Sequence, residues 1–171
     1  MQDWRWAFGG AVAVTALNVC ASSTTPAAPI LAGRDLGPEL RALEATVSRY
    51  PADRAALEAL TEAYLAGGAP GLAVAAIDRA PEQVKNAVHV ADAKARALTE
   101  LGSPEAALAT ERRVLDACVK EVCSPTLVAR AERRARWLAE LVREGIDPLS
   151  EPERTLVAYR IAVREVRLDG R

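Results

Sequence analysis

The chain has 171 residues, half of them apolar and 26% charged, with a net charge of −1 and a single histidine. That length supports one core with an N-terminal addition, and the near-zero charge argues against a nucleic-acid binder. Abundant Ala, Leu, Glu and Arg, few aromatics and no alternating block of Val, Ile and Thr exclude a sheet protein, so the fold class is all-α.

Residues 1–20 have the three regions of an export signal: a short start with Arg5, a mostly apolar run from Trp6 to Val19, and the small residues after Cys20. The apolar run is too short to cross a bilayer comfortably as a permanent helix. Leu17-Asn18-Val19-Cys20 resembles a bacterial lipobox, which implies that Cys20 becomes the lipidated first residue and anchors the chain to a membrane. Val19 stands where Gly, Ala or Ser is usual, so cleavage after Ala21, or no cleavage, remains open. By the same resemblance, Ala21 after an acylated Cys is compatible with an outer-membrane lipoprotein; cleavage without lipid gives a periplasmic or secreted protein. Residues 21–37 are rich in Ser, Thr, Ala and Pro and read as a flexible linker, because they cannot bury enough apolar area to offset ordering.

From residue 38 to 167 the chain reads as one helical domain, followed by a tail at 168–171. Pro38, Pro70, Pro81, Pro104, Pro125 and Pro152 each precede an apolar-periodic run, where a missing first-turn N–H costs nothing. Ser103, Ser124 and the capping-box pattern Ser150-Glu151-Pro152-Glu153 add N-cap signals. About seven helices are predicted, at 38–49, 52–66, 70–79, 82–101, 104–119, 125–144 and 152–167. Short turns between them favour antiparallel neighbours. Leu127, Ala131, Ala135, Leu138 and Val142 form the apolar face of the sixth; Leu156, Tyr159, Val163 and Val166 form that of the seventh.

Within this domain, Leu57, Leu60 and Tyr64 precede a Gly67-Gly68-Ala69-Pro70 interruption, and Ala73, Ile77 and Ala80 follow it. The spacing resembles a tetratricopeptide repeat (TPR), with Thr61 standing where that family prefers Gly or Ala and Lys85 where it has a closing Pro. At the family's period of about 34 residues, Gly68 returns as Gly102, Tyr64 as Leu98, Ala73 as Ala107 and Ala80 as Val114, while Lys94 and Glu111 replace Leu60 and Ile77. One period earlier, Leu40 and Leu43 read as the second helix of a truncated unit. The resemblance implies a short TPR-like α-solenoid of antiparallel hairpins that binds a protein or peptide along the first helix of each pair. The contact surface so implied consists of Arg54, Glu58, Glu62, Lys85, Asn86, His89, Asp92 and Arg96, with Glu58, Glu62, Asp92 and Arg96 lining one groove.

Cys118 and Cys123 sit where one helix ends and the next has not begun. Export places them in an oxidising compartment, where they pair if the helix ends between them; without export they are two thiols. Two Cys and the distant His89 do not make a zinc set. His89 lies in a helical run with no nucleophile elbow, no phosphate loop or His-Glu-x-x-His is present, and the acids alternate with Arg at helical spacing, so neither a catalytic centre nor a cofactor or metal is expected. Arg130, Arg133, Arg134 and Arg136 cluster, but Glu132 and Glu140 interleave with them and stacking aromatics are scarce, which reads as a solvated face. The expected function is an exported, lipid-anchored adaptor or scaffold in a bacterial cell envelope; the alternative is a purely structural helical subunit or oligomerisation domain without a peptide groove.

Overall fold

The computed structural model describes residues 37–169, all within the compact unit Leu36–Arg171. Cys20, the export signal and nearly all of the linker lie outside the described residues. Those residues form eight helices and no strand: α1 (Pro38–Arg49), α2 (Arg54–Ala66), α3 (Pro70–Arg79), α4 (Glu82–Lys85), α5 (Val88–Glu100), α6 (Pro104–Lys120), α7 (Pro125–Glu144) and α8 (Pro152–Asp169). Proline occupies the first turn of α1, α3, α6 and α7. Asp53 caps α2 by accepting from the Ala56 N–H, and Ser124 caps α7 by accepting from the Leu127 N–H.

The expected helix at 82–101 is two helices, making eight where about seven were expected. Asn86 takes a turn conformation and Ala87 an extended one, so the chain breaks between α4 and α5. The break serves packing. On one continuous helix Val84 and Val88 would share a face; here Val84 joins Leu57, Ile77 and Val90, while Val88 joins Val114, Leu127 and Ala131.

The break also sets α5 in register with α2. Glu62 and Arg96 are 34 residues apart, and α2 and α5, both of 13 residues, begin and end at that offset, as do Pro70 and Pro104 at the starts of α3 and α6. The turns repeat bond for bond. Gly68 donates to Leu65 and Ala69 to Tyr64; at the same offset Gly102 donates to Thr99 and Ser103 to Leu98. Gly68 and Gly102 have φ of 69° and 70°, the left-handed closure of a Schellman turn. Gly145, at φ 60°, ends α7 in the same way, with Ile146 donating to Leu141.

Helices pack on their neighbours in sequence except that α3 packs on α5, past the short α4, and α2 also touches α5. The core is correspondingly a row of apolar clusters: Leu40, Leu60 and Tyr64 at one end, and Leu108, Leu138, Leu141 and Ala158 at the other. The arrangement is helical-repeat-like.

Two local expectations at the C-terminal end are corrected. Ser150 does not cap α8: its hydroxyl donates to Asp147, whose carboxylate also accepts from the Leu149 N–H, so the segment closes as an Asp147-centred turn. The packed face of α8 carries Ala158 and Ala162, while Leu156 and Tyr159 are exposed. Alanine lets α8 approach α7 closely, which turns the larger residues outward. Ser103 likewise makes no side-chain cap for α6.

Cys118 and Cys123 form a disulfide, their Cα atoms 5.3 Å apart. Helix α6 ends at Lys120, between the two, which is what makes the approach possible. Both lie against Val88, Val114, Leu127 and Ala131.

Candidate functional site

Helices α2, α5 and α7 line a cleft of about 360 Å³. Glu58 and Glu62 enter it from successive turns of α2, and His89, Asp92 and Arg96 from α5. Residues four apart on a helix share a face, and the common register of α2 and α5 then sets the two rows side by side. Arg96 Nη1 donates to Glu62 Oε1 at 2.5 Å across the cleft. Arg54 lies at its edge, with Nε 3.5 Å from Glu58 Oε1.

Lys85 and Asn86 are not in this cleft. They belong to α4 and the break after it, and line a separate cleft of about 470 Å³ with Lys94, Thr110 and Arg113. There Lys85 pairs with Glu82 at 2.6 Å, and Asn86 donates to the same carboxylate at 3.2 Å. The hydrogen bond from Lys85 holds the Glu82 carboxyl below its usual range.

Asp92 differs from the expectation of an exposed contact. It is buried, and its Oδ1 accepts from Arg134 Nη2 of α7. Arg134 Nε donates to Glu111 of α6, which is wholly buried. One guanidinium therefore joins two carboxylates from two other helices. Burial raises the Glu111 carboxyl above its ordinary value, against the opposing effect of Arg134. The Arg134 guanidinium is itself held more firmly protonated, because its two carboxylates outweigh its burial.

Sequence reasoning missed Arg134 and Arg130. Reading the arginine cluster of α7 as a solvated face overlooked that Glu111, at the position of Ile77 one period earlier, needs a buried counter-charge. Arg130 completes the cleft from α7. It takes part in no ion pair among the described residues, whereas Glu62 and Asp92 are paired and Glu58 has Arg54 nearby. The lining thus sets three carboxylates, Glu58, Glu62 and Asp92, against Arg96 and Arg130, and Glu58 Oε1 is buried without a hydrogen-bond partner among the described residues. Beyond the cleft, Arg130 and Arg133 rim a smaller, mostly apolar hollow of about 230 Å³ floored by Trp137 and Tyr159, which meet edge to face at 6.2 Å.

Among the described residues, no three His, Cys, Asp or Glu side chains are grouped to hold a metal, and no helix is long and apolar enough to cross a membrane. Compared with known proteins, the chain matches no family model, no curated protein and no solved structure.

Proposed function

We propose that the chain is an exported, lipid-anchored adaptor of TPR type that binds an acidic peptide segment of a protein partner in the α2–α5–α7 cleft, at the bacterial cell envelope. The observation that carries the reading is Arg130, which lines the cleft without an ion pair among the described residues. Glu62 and Asp92 are paired within the chain, and Arg130 forms no ion pair among the described residues, feeling only the more distant Glu111, so an incoming carboxylate reaches its guanidinium without displacing an existing pair. The hollow over Trp137 and Tyr159, one step further along and sharing Arg130, suits an apolar side chain next to the acid.

The TPR assignment rests on the repeated α2–α3 and α5–α6 units with their matching glycine turns. Export rests on the lipobox-like Leu17–Cys20 segment, and the Cys118–Cys123 disulfide supports an oxidising compartment.

The test of binding is fluorescence anisotropy with short peptides carrying Asp and Glu beside an aromatic residue, against the same peptides with Asn and Gln. The acidic forms are expected to bind more tightly, and Arg130→Glu to weaken them by about tenfold. Equal binding of acidic and neutral peptides, or no effect of Arg130→Glu, overturns the reading. The anchor is tested by the intact mass of the chain from a bacterial membrane fraction with and without Cys20→Ala: a lipid-bearing mass starting at Cys20 supports it, and an unlipidated mass rejects it.

The alternative of a purely structural or oligomeric subunit is favoured by one observation, the exposed apolar stripe on α8.

A further inference from the structure

Helix α8 holds its place on α7 through small residues, Ala158 and Ala162. This leaves larger side chains exposed to either side of that contact, Val157 and Ile161 on one and Leu156 and Tyr159 on the other, where the Tyr159 ring also meets Trp137 edge to face. Leu156, Tyr159 and Val163 follow one another at steps of three and four, the spacing of the apolar seam of a coiled coil. Leu156 is 57% exposed and Tyr159 43%, and Val163 is only half-buried.

The charges beside the seam identify what covers it. Glu153 and Arg160 lie seven residues apart, so both occupy the same flank of the seam, one position after its second apolar site. Both are exposed and neither has an ionic partner among the described residues, although the neighbouring Arg154 is paired with Glu151 at 2.5 Å. We infer that α8 pairs antiparallel with α8 of a second copy of this chain.

In that arrangement a two-fold axis crosses the seam near its middle. Leu156 packs on Tyr159 of the second copy, and Tyr159 on its Leu156. The flank that carries Glu153 and Arg160 then meets the same flank reversed, so Glu153 faces Arg160 and Arg160 faces Glu153. A parallel pair gains nothing from these charges. There the flank would meet the opposite one, which holds Thr155 and Ala162. The surface is thus complementary to itself in one orientation, which a site for an unrelated partner has no reason to be. The inference uses no residue of the α2–α5–α7 cleft, but Tyr159 also floors the adjoining hollow, so pairing through α8 and an apolar side chain in that hollow compete for this ring.

The experiment is sedimentation equilibrium of the full chain in a density-matched non-ionic detergent, over a range of protein concentrations. A monomer–dimer equilibrium is expected. Glu153→Arg and Arg160→Glu should each weaken it by about tenfold, since each replaces two attractive contacts by repulsive ones. The double variant Glu153→Arg with Arg160→Glu should restore the original affinity, which a variant that merely disturbs folding would not do. A chain that stays monomeric throughout, single variants that dimerise like the original, or a double variant as weak as the singles would overturn the inference.

Discussion

Glu111 in the second hairpin stands at the position of Ile77 in the first, and both are wholly buried. The substitution of a carboxylate for an isoleucine in a repeat core is stabilised from outside the repeat, by Arg134 of α7, which also holds Asp92 of α5. The ion cluster therefore fastens the last helical pair to the second hairpin. Arg134→Met should cost about 3–5 kcal/mol, because it leaves two buried carboxylates without a counter-charge. Glu111→Ile should cost far less, because Arg134 keeps Asp92 and the first hairpin shows that isoleucine fits an equivalent site. Chemical denaturation of the two variants measures the difference; equal costs would mean that Arg134 acts through packing alone.

The same carboxyl makes stability depend on pH in an unusual direction for an acid. Burial raises Glu111 above the ordinary carboxylate value of 4.5, with Arg134 opposing and Asp92 assisting, while Arg130 opposes from further along α7. The folded chain therefore holds this proton more tightly than the unfolded one. The stability gained is fully present below the unfolded value and is lost as pH rises through the higher folded value. Glu111→Gln removes the titration, so the stability of the parent relative to this variant should fall as pH rises from 4.5. Thermal unfolding of both proteins at a series of pH values reads it directly, and a difference independent of pH would contradict it.

Much of the fold was legible because proline starts and glycine stops are local chemistry. Pro38, Pro70, Pro104, Pro125 and Pro152 each begin a helix, and Gly68 and Gly102 each end a hairpin's first arm. The break at Asn86–Ala87 was not legible from local signals, since neither Gly nor Pro marks it. The repeat period does mark it, because α2 begins after Asp53 and Ala87 is its counterpart. In the cleft, Glu58, Glu62, His89, Asp92 and Arg96 come together because register between repeats is a property of spacing. Lys85 and Asn86 fall outside it because the break turns α4 away. Arg130 and Arg134 escaped notice because a helix's charged residues look alike until the neighbouring helix fixes which of them is buried. The outward face of α8 was misread for a related reason: periodicity locates an apolar stripe but not which neighbour covers it.

The disulfide ties the end of α6 to the approach to α7 over a five-residue separation. A loop of this size contributes about 2 kcal/mol by restricting the unfolded chain. Cys118→Ser with Cys123→Ser should lower stability by about that amount. Because both cysteines lie against Val88, Val114 and Leu127, amide exchange should quicken most at the C-terminal end of α6 and the first turns of α7. Unchanged exchange there, with a global loss of stability, would assign the whole effect to the unfolded state.

Gly68 and Gly102 allow the two hairpins to be compared directly. Each has a positive φ that an alanine adopts only with strain of about 1–2 kcal/mol. Their surroundings differ: a Cβ at Gly68 meets nothing within 4 Å, while one at Gly102 comes within 2.7 Å of the Leu149 side chain. Leu149 is 66% exposed, so it can rotate away. Gly68→Ala and Gly102→Ala should therefore destabilise the chain by similar amounts, set by the backbone. If Gly102→Ala is distinctly worse and Leu149→Ala relieves the excess, the turn at Asp147–Ser150 is held against the second hairpin more rigidly than the exposure of Leu149 implies.

Tyr64 joins the first helix to the first hairpin: its hydroxyl donates to Glu44 Oε1 at 2.6 Å, linking α2 to α1. Burial, followed by the bond to Glu44 and its negative charge, pushes the phenol up from 10.0 to about 12, with Arg79 opposing. The folded state thus favours the neutral phenol, a contribution fully present below pH 10.0 and lost as pH rises through about 12. Tyr64→Phe should cost about 1.5–3 kcal/mol at neutral pH, the usual net value of a hydrogen bond to a charged group. It should also reduce the loss of stability above pH 10.0, and remove one late-titrating phenol from the ultraviolet absorbance titration. A Tyr64→Phe protein with the parent's full alkaline loss would show that α1 is held by Leu40 and its apolar neighbours, with no measurable help from the Tyr64–Glu44 bond.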